Sequence, residues 1–122
     1  MITEDYVSFE IAKLLKERGF NELTPLSYSL PYGYESHIPC CNGVDTDFVS
    51  RITIQMAMKW LREVQGLDID ISIEYTPKKT YYYSVLKKTV IRDIDCLHSE
   101  TNFKSYEEAC ESAIKYCLEN LI

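Results

Sequence analysis

The sequence predicts a two-layer α+β protein, in which three helices pack on one face of a small antiparallel sheet of two to four strands. In three segments the apolar residues recur every three to four positions, which is the period of a helix with one buried face. Between the second and third of these segments the period changes to two, as in a strand with one buried and one solvated face. The chain of 122 residues suits a single domain covering 1–122.

The first two helices are expected at residues 8–20 and 53–66. In SFEIAKLLKERGF, Ser8 precedes the apolar stripe, and its hydroxyl can accept a hydrogen bond from a free backbone N–H of the first turn. Gly19 stands where helices commonly end in the left-handed conformation, which glycine adopts at little cost. TIQMAMKWLREVQG repeats this arrangement, with Thr53 as the cap.

The third helix is predicted for SYEEACESAIKYCLENLI, residues 105–122. Ser105 and Glu108 have the spacing of a capping box, in which each side chain accepts a hydrogen bond from the backbone N–H of the other residue. Cys110 and Cys117 fall on the apolar face of this helix. A reduced thiol behaves there as a small hydrophobic group, so we expect both cysteines in the core.

Two strands, followed by a third, are predicted between the second and third helices. DIDISIEY, residues 68–75, alternates apolar with polar residues, and YYYSVL, residues 81–86, is rich in the residues that strands favour. Beyond these strands the apolar positions change parity, to Val90, Ile94 and Cys96. Because side chains alternate faces along a strand, this change indicates a bulge or a tight turn. We favour a hairpin that a third strand extends.

Residues 24–50 show no sustained period. The segment holds three prolines and two glycines, and LSYSL at residues 26–30 alternates as a short strand would. A long irregular segment inside a compact domain is commonly functional or mobile. We therefore expect the working surface of the protein to include this segment.

Composition and motifs exclude several classes of protein. The net charge of −6 disfavours nucleic acid and anionic membranes as partners, because they carry charge of the same sign. No run of about 18 apolar residues is present, so no membrane span is expected. The first residues lack the basic and apolar regions of a secretory signal, which predicts a cytoplasmic protein. No phosphate-binding glycine loop and no hydrolase or metalloprotease motif occurs, and we expect no cofactor.

Parts of the chain resemble a known family. VSFEIAKLLKERGF, QMAMKWLREVQGLDIDI and SYEEACESAIKYCLENLI are similar to the opening helix, the central helix with its strand, and the closing helix of that family. It consists of small uncharacterised proteins from gut bacteria and their phages, and the resemblance does not extend to 24–50. The resemblance implies a recurring fold and a bacterial or mobile-element setting. Since the family has no assigned activity, no catalytic residue is implied.

One group of residues could form a metal- or thiol-dependent site. HIPCC places His37, Cys40 and Cys41 close together, and Cys96 and His98 follow later in the chain. Two such pairs would supply the four ligands that zinc requires, and either histidine could act as the base for a cysteine nucleophile. Against this, adjacent cysteine side chains diverge, and no C-x-x-C is present. A loop with reduced thiols explains the same residues, so the site stands as the alternative hypothesis.

Tyrosine is frequent, with 10 residues among 122. Its large ring and polar hydroxyl are favoured at protein interfaces, and we interpret Tyr28, Tyr32, Tyr34 and Tyr82 as candidate partner-binding residues. Stacking of nucleic-acid bases on these rings is disfavoured by the acidic residues of the neighbouring strand. The sequence thus favours a small protein of unknown function that is not an enzyme. It would bind another protein, or a second copy of itself, as an accessory protein of a bacterium or phage.

Overall fold

The computed structural model describes residues 2–88 and 95–122. One helix is followed by five short strands, a second helix, three longer strands and a third helix. The bounds of these elements are α1 Phe9–Glu17, β1 Leu23–Thr24, β2 Ser27–Ser29, β3 Glu35–Ser36, β4 Cys40–Cys41, β5 Phe48–Ser50, α2 Ile54–Val64, β6 Asp68–Glu74, β7 Thr80–Lys87, β8 Asp95–Phe103 and α3 Tyr106–Asn120. The chain divides into two compact units, Met1–Ala57 and Met58–Ile122, with the boundary inside α2.

Two small antiparallel sheets build the first unit. β1 pairs with β4, so that Leu23 lies opposite Cys41. β2 is the central strand of the order β3-β2-β5, with Tyr28 opposite Glu35 on one side and Val49 on the other. These five strands fall in or next to the segment without a sequence period. Each has two or three residues, which is too short for an alternating pattern to stand out.

Helix α1 begins and ends at the predicted signals. Ser8 accepts a hydrogen bond from the N–H of Ile11 at 3.3 Å. Gly19, just after the last turn, has a φ of +99°. The N–H of Phe20 then returns to the carbonyl of Leu15 at 2.9 Å, and both side chains are buried. This is the arrangement of a helix that stops at a left-handed glycine, and it leaves α1 packed against β5.

Helix α2 also starts at its predicted cap. The hydroxyl of Thr53 accepts a hydrogen bond from the N–H of Met56 at 3.1 Å. At the other end Gly66 has a φ of +69°, and the N–H of Leu67 reaches back to the carbonyl of Leu61 at 3.0 Å. The glycine therefore allows the chain to leave the helix and enter β6.

The described part of the second unit contains an antiparallel sheet in the order β6-β7-β8. Tyr83 and Val85 are fully buried and lie on the inner face of β7. Ile73 on β6, an edge strand of this sheet, is 42% exposed. β8 confirms the expected third strand, and its pairing with β7 shifts register at two points.

Helix α3 packs on this sheet and contacts all three of its strands. Ser105 accepts a hydrogen bond from the N–H of Glu108 at 3.1 Å. The carboxylate of Glu108 accepts from the N–H of Lys104 at 3.0 Å, one residue earlier than the capping box predicts. Cys110 and Cys117 are fully buried, as expected. Burial raises the pKa of Cys110 to about 11 and that of Cys117 to about 12.

The predicted fold class is confirmed in its coarser form, since three helices and antiparallel strands make an α+β structure. The finer description matches only in part. Eight strands form three sheets among the described residues instead of one small sheet, and α1 packs against β5 while α3 covers β6–β8. Val90 and Ile94 lie outside the described residues, and the single-domain boundary stays a prediction. None of the described helices has the length and apolar content that crossing a membrane requires.

Candidate functional site

Tyr32 and Tyr34 stand side by side on the turn that joins β2 to β3, residues 30–34, which we call the tyrosine turn. They are 77% and 69% exposed, and their ring centres lie 6.0 Å apart. The N–H of Gly33 donates to the carbonyl of Ser29 at 2.7 Å, and the N–H of Ser29 donates to the carbonyl of Tyr34 at 2.8 Å. These hydrogen bonds close the base of the turn and hold the two rings next to each other at the surface.

The tyrosine turn packs against Phe9 of α1. Gly33 has a φ of +79°, and a methyl group placed on it would overlap the ring of Phe9. The Phe9 ring packs in turn against Tyr28, with 5.6 Å between ring centres. The N–H of Leu30 donates to the carbonyl of Asp47 at 2.8 Å, which connects the turn to the residues before β5. The turn is therefore anchored to α1 and to the residues before β5.

The other two tyrosines with a predicted partner role lie in different surroundings. Tyr28 is 7% exposed, and its hydroxyl donates to the carbonyl of Val7, so it belongs to the core of the first unit. Tyr82 is half-buried on β7, opposite Ser72 of the second unit. Tyr32 and Tyr34 therefore have exposed rings, whereas the ring of Tyr28 is buried.

The residues of the HIPCC stretch do not share one environment. Cys40 is fully buried, and its Sγ lies 3.9 Å from Oδ1 of Asn42. Cys41 is half-buried, and its thiol contacts Oδ1 of Asn21 at 3.2 Å. His37 is exposed. Burial raises the pKa of the Cys40 thiol, which keeps it protonated and makes it a poor nucleophile or metal ligand.

Asn42 explains why this stretch folds as it does. Its side chain is buried, donates from Nδ2 to the carbonyl of Phe20 at 3.0 Å, and accepts at Oδ1 from the N–H of Ser50 at 2.9 Å. Asp45 accepts from the N–H of Cys41 at 2.6 Å and fixes the following turn. The loop is thus a structural link between the end of α1, β4 and β5.

Cys96 and His98 lie on β8. Cys96 is exposed, with its Sγ 3.5 Å from the hydroxyl of Ser99. His98 is half-buried and stacks on the ring of Tyr116. Across residues 2–88 and 95–122, no three histidine, cysteine, aspartate or glutamate side chains are grouped in a way that could hold a metal ion. The described structure therefore does not assemble the five predicted residues into a ligand set.

A polar network that the sequence does not indicate lies under α3. The hydroxyl of Tyr83 donates to Oε2 of Glu100 at 2.8 Å, and the hydroxyl of Ser112 donates to the same oxygen at 3.3 Å. Burial, with the hydrogen bond and charge of Glu100 next, raises the pKa of Tyr83, so this hydroxyl remains a neutral donor. The network joins β7, β8 and α3, and we assign it to stability.

The first unit also contains a cavity of about 220 Å³. Phe20, Leu26 and Ile52 form apolar parts of its wall, and Arg51 is the basic residue that lines it. The guanidinium carbon of Arg51 lies 4.2 Å from the ring centre of Tyr6. No sequence pattern marks this cavity, because its residues come from three separate parts of the chain and Arg51 stands alone between two buried neighbours.

Comparison with known proteins does not add a residue to either site. No protein-family model, curated protein or solved structure matches the chain.

Proposed function

We propose that this chain is a small, non-enzymatic protein-binding protein and that the tyrosine turn is its contact surface. The observation that supports this is the paired exposure of Tyr32 and Tyr34 on a turn closed by hydrogen bonds. Buried aromatic residues dominate the binding free energy of many protein interfaces. The proposal includes the setting that the sequence resemblance implies, an accessory protein acting in the cytoplasm of a bacterium or in phage infection.

The rigidity of the tyrosine turn favours binding. Ordering a flexible side chain at an interface costs about 0.5–1.5 kcal/mol, and ordering a loop adds to this. Here the backbone is fixed in advance by the contact of Gly33 with Phe9 and by the hydrogen bond from Leu30 to Asp47. Tyrosine itself offers a large contact area with few rotatable bonds. A partner that covers both rings therefore gains their burial without ordering the turn.

The charge around the tyrosine turn indicates the partner's surface. Glu35 follows the turn directly, and its side chain is 69% exposed. The chain as a whole has a net charge of −6. Charges of this sign speed association with a basic surface and repel an acidic one. We therefore expect an apolar patch with a basic border on the partner.

The test compares the wild-type chain with the double variant Tyr32→Ala/Tyr34→Ala. Each would be immobilised and exposed to a lysate of the organism that encodes it, and the retained proteins quantified by mass spectrometry. We expect a protein that the wild type retains and the double variant loses, because truncation of interface hot spots costs about 2 kcal/mol or more each. The melting temperatures of the two should be similar, since both rings are exposed.

The matched control is Tyr75→Ala, which removes a ring that is 69% exposed in the second unit. It should retain the same protein as the wild type. Equal retention by all three proteins would contradict the proposal. Sedimentation of the purified chain over a range of concentrations tests self-association: a dimer that the double variant abolishes would make a second copy the partner.

The metal- or thiol-dependent alternative, built on His37, Cys40, Cys41, Cys96 and His98, has less support. Cys40 is buried as a neutral thiol, and Cys41 contacts an asparagine. Metal analysis of the chain purified without chelator tests it directly. One equivalent of zinc or iron per chain, lost on replacing Cys41 with alanine, would favour this alternative over the protein-binding one.

A further inference from the structure

We propose that the cavity beside Arg51 binds a small apolar molecule that carries one carboxylate group. The cavity measures about 220 Å³. An apolar cavity of about 150 Å³ is large enough for benzene, and drug-sized ligands occupy about 300–1,000 Å³. The size therefore suits an aromatic ring with a short acidic arm, or an alkyl chain of similar volume. None of residues 30–34 lines this cavity, and the proposal does not depend on the function proposed for the tyrosine turn.

The walls of the cavity favour an apolar ligand body. Phe20 and Ile52 are buried, and Leu26 is half-buried. These side chains already belong to the core, so the wall is formed before any ligand arrives. Apolar area removed from water stabilises a complex. A polar group of a ligand that packed against these three side chains would lose its hydration without gaining a hydrogen bond from them.

Arg51 provides the charge that selects a carboxylate. Its side chain is 15% exposed, and its guanidinium lies over the rings of Tyr6, at 4.2 Å, and of Tyr28, at 5.6 Å. Both rings fix the orientation of the cation, which offers donors spaced to match a carboxylate.

The pairing of Arg51 inside the protein is incomplete. Its Nη2 lies 3.5 Å from Oε1 of Glu35, a long ion pair with a carboxylate that is 69% exposed. Its Nε is buried and has no hydrogen-bond partner among residues 2–88 and 95–122. A partly buried cation with a solvated counter-charge gains more from a second carboxylate inside the cavity than a surface arginine would.

Glu22 restricts the charge of the ligand. This residue also lines the cavity, and it is exposed to solvent. Water and salt screen its charge more than that of Arg51, so it does not cancel the attraction for one carboxylate. It does oppose a second negative charge on the ligand. The site therefore fits a monocarboxylate better than a dicarboxylate or a phosphate.

The test uses two probes of the same shape, phenylacetate and its neutral amide, phenylacetamide. Each is titrated into the ¹⁵N-labelled wild-type chain, and the backbone amide shifts are followed by NMR. We expect shifts at Leu26, Arg51 and Ile52, and about tenfold tighter binding of the acid, because hydrogen bonds to charged groups are stronger than neutral ones. Equal affinity for both probes, or unshifted amides around the cavity up to about 10 mM acid, would overturn the proposal.

Two variants complete the test. In Arg51→Gln the preference for the acid should fall to about twofold or less, because the cation is gone. In Arg62→Gln, which removes an exposed arginine outside the cavity, the preference should remain. An unchanged preference in Arg51→Gln would overturn the proposal. If Arg51→Gln does not fold, the comparison of the two probes on the wild-type chain still tests the proposal. The Tyr32→Ala/Tyr34→Ala variant should bind phenylacetate like the wild type.

Discussion

The imidazole of His98 lies flat against the ring of Tyr116, with 3.6 Å between ring centres and 6° between their planes. His98 belongs to β8 and Tyr116 to α3, so the stack fastens the helix to an edge strand of its sheet. The Nε2 atom of His98 is buried and has no hydrogen-bond partner in the described part of the chain. The contact is thus one between ring faces, which packs β8 against α3.

Replacing His98 by phenylalanine should preserve stability, while replacing it by alanine should lower it. Phenylalanine keeps the ring stack and removes a polar nitrogen that lacks a partner. Alanine loses the stack, which is worth about 0.5–1.5 kcal/mol beyond the buried area itself. We expect the free energy of unfolding in urea to fall by about 1–2 kcal/mol for His98→Ala and to stay level or rise for His98→Phe. Equal losses in both variants would show that the nitrogen has a partner.

Asn42→Ala should be among the more destabilising changes to a polar residue of the first unit. It removes two buried hydrogen bonds, one to the carbonyl of Phe20 and one from the N–H of Ser50. The loss of a buried hydrogen bond costs about 1–3 kcal/mol, so we expect a loss of about 3 kcal/mol in urea unfolding. Asn120→Ala is the control, because its side chain donates to the carbonyl of Tyr116 at an exposed position. It should cost at most about 0.5 kcal/mol, and a similar loss in both would contradict this account.

The helices could be predicted from the sequence because their signals are local. Ser8, Thr53 and Ser105 each precede an apolar stripe, and each accepts the expected hydrogen bond from the first turn of its helix. Gly19 and Gly66 take the left-handed conformation that a helix stop requires. The alternation in β7 likewise places Tyr83 and Val85 inside. Such signals need only a few neighbouring residues, so they can be interpreted without the tertiary structure.

The short strand expected at residues 26–30 is confirmed by β2, but the rest of the segment at 24–50 could not be predicted, because its strand partners are distant in the chain. Tyr28 pairs with Val49, and Thr24 pairs with Cys40, across long intervening loops. The burial of Tyr28 depends on these pairings, so the sequence could not separate it from the exposed Tyr32 and Tyr34. The cavity could not be predicted either, because Arg51 and Tyr6 come into contact only in the folded unit. Neither residue type nor spacing shows which of these side chains is covered.

Alkaline pH should destabilise the protein through Cys110 and Cys117. Their folded pKa values of about 11 and about 12 lie above the 9.0 of an exposed thiol, because burial disfavours the thiolate. A raised folded pKa means that the stability is fully present below pH 9 and is lost as the pH rises toward the folded values. Urea unfolding should therefore give a constant free energy from pH 7 to 8. Above pH 9 it should fall, by up to about 1.4 kcal/mol per pH unit for each thiol.

The variant Cys117→Ala isolates this effect. It should be less stable than the wild type at pH 8, because it leaves a small cavity. Its free energy of unfolding should nevertheless fall less steeply between pH 9 and 11, since one of the buried thiols with a raised pKa no longer ionises on unfolding. Tyr83, whose pKa is raised chiefly by burial and in smaller part by Cys117, remains in both proteins, and the loss of Cys117 lowers its contribution as well. Parallel pH profiles for the two proteins would show that Cys117 is not the source of the loss.

Gly33→Ala should disturb the tyrosine turn, and Gly19→Ala shows how much of the effect is backbone strain. Both glycines have a positive φ, +79° and +99°, so alanine is strained at either position by about 1–2 kcal/mol. A methyl group at Gly19 meets no atom within 4 Å, whereas at Gly33 it overlaps the ring of Phe9. The Phe9 ring also packs on Tyr28, so a shift of this ring would alter that contact as well. Urea unfolding should therefore show an additional loss of about 1–3 kcal/mol for Gly33→Ala, the usual cost of overpacking. Equal losses in the two variants would mean that Phe9 does not support the turn.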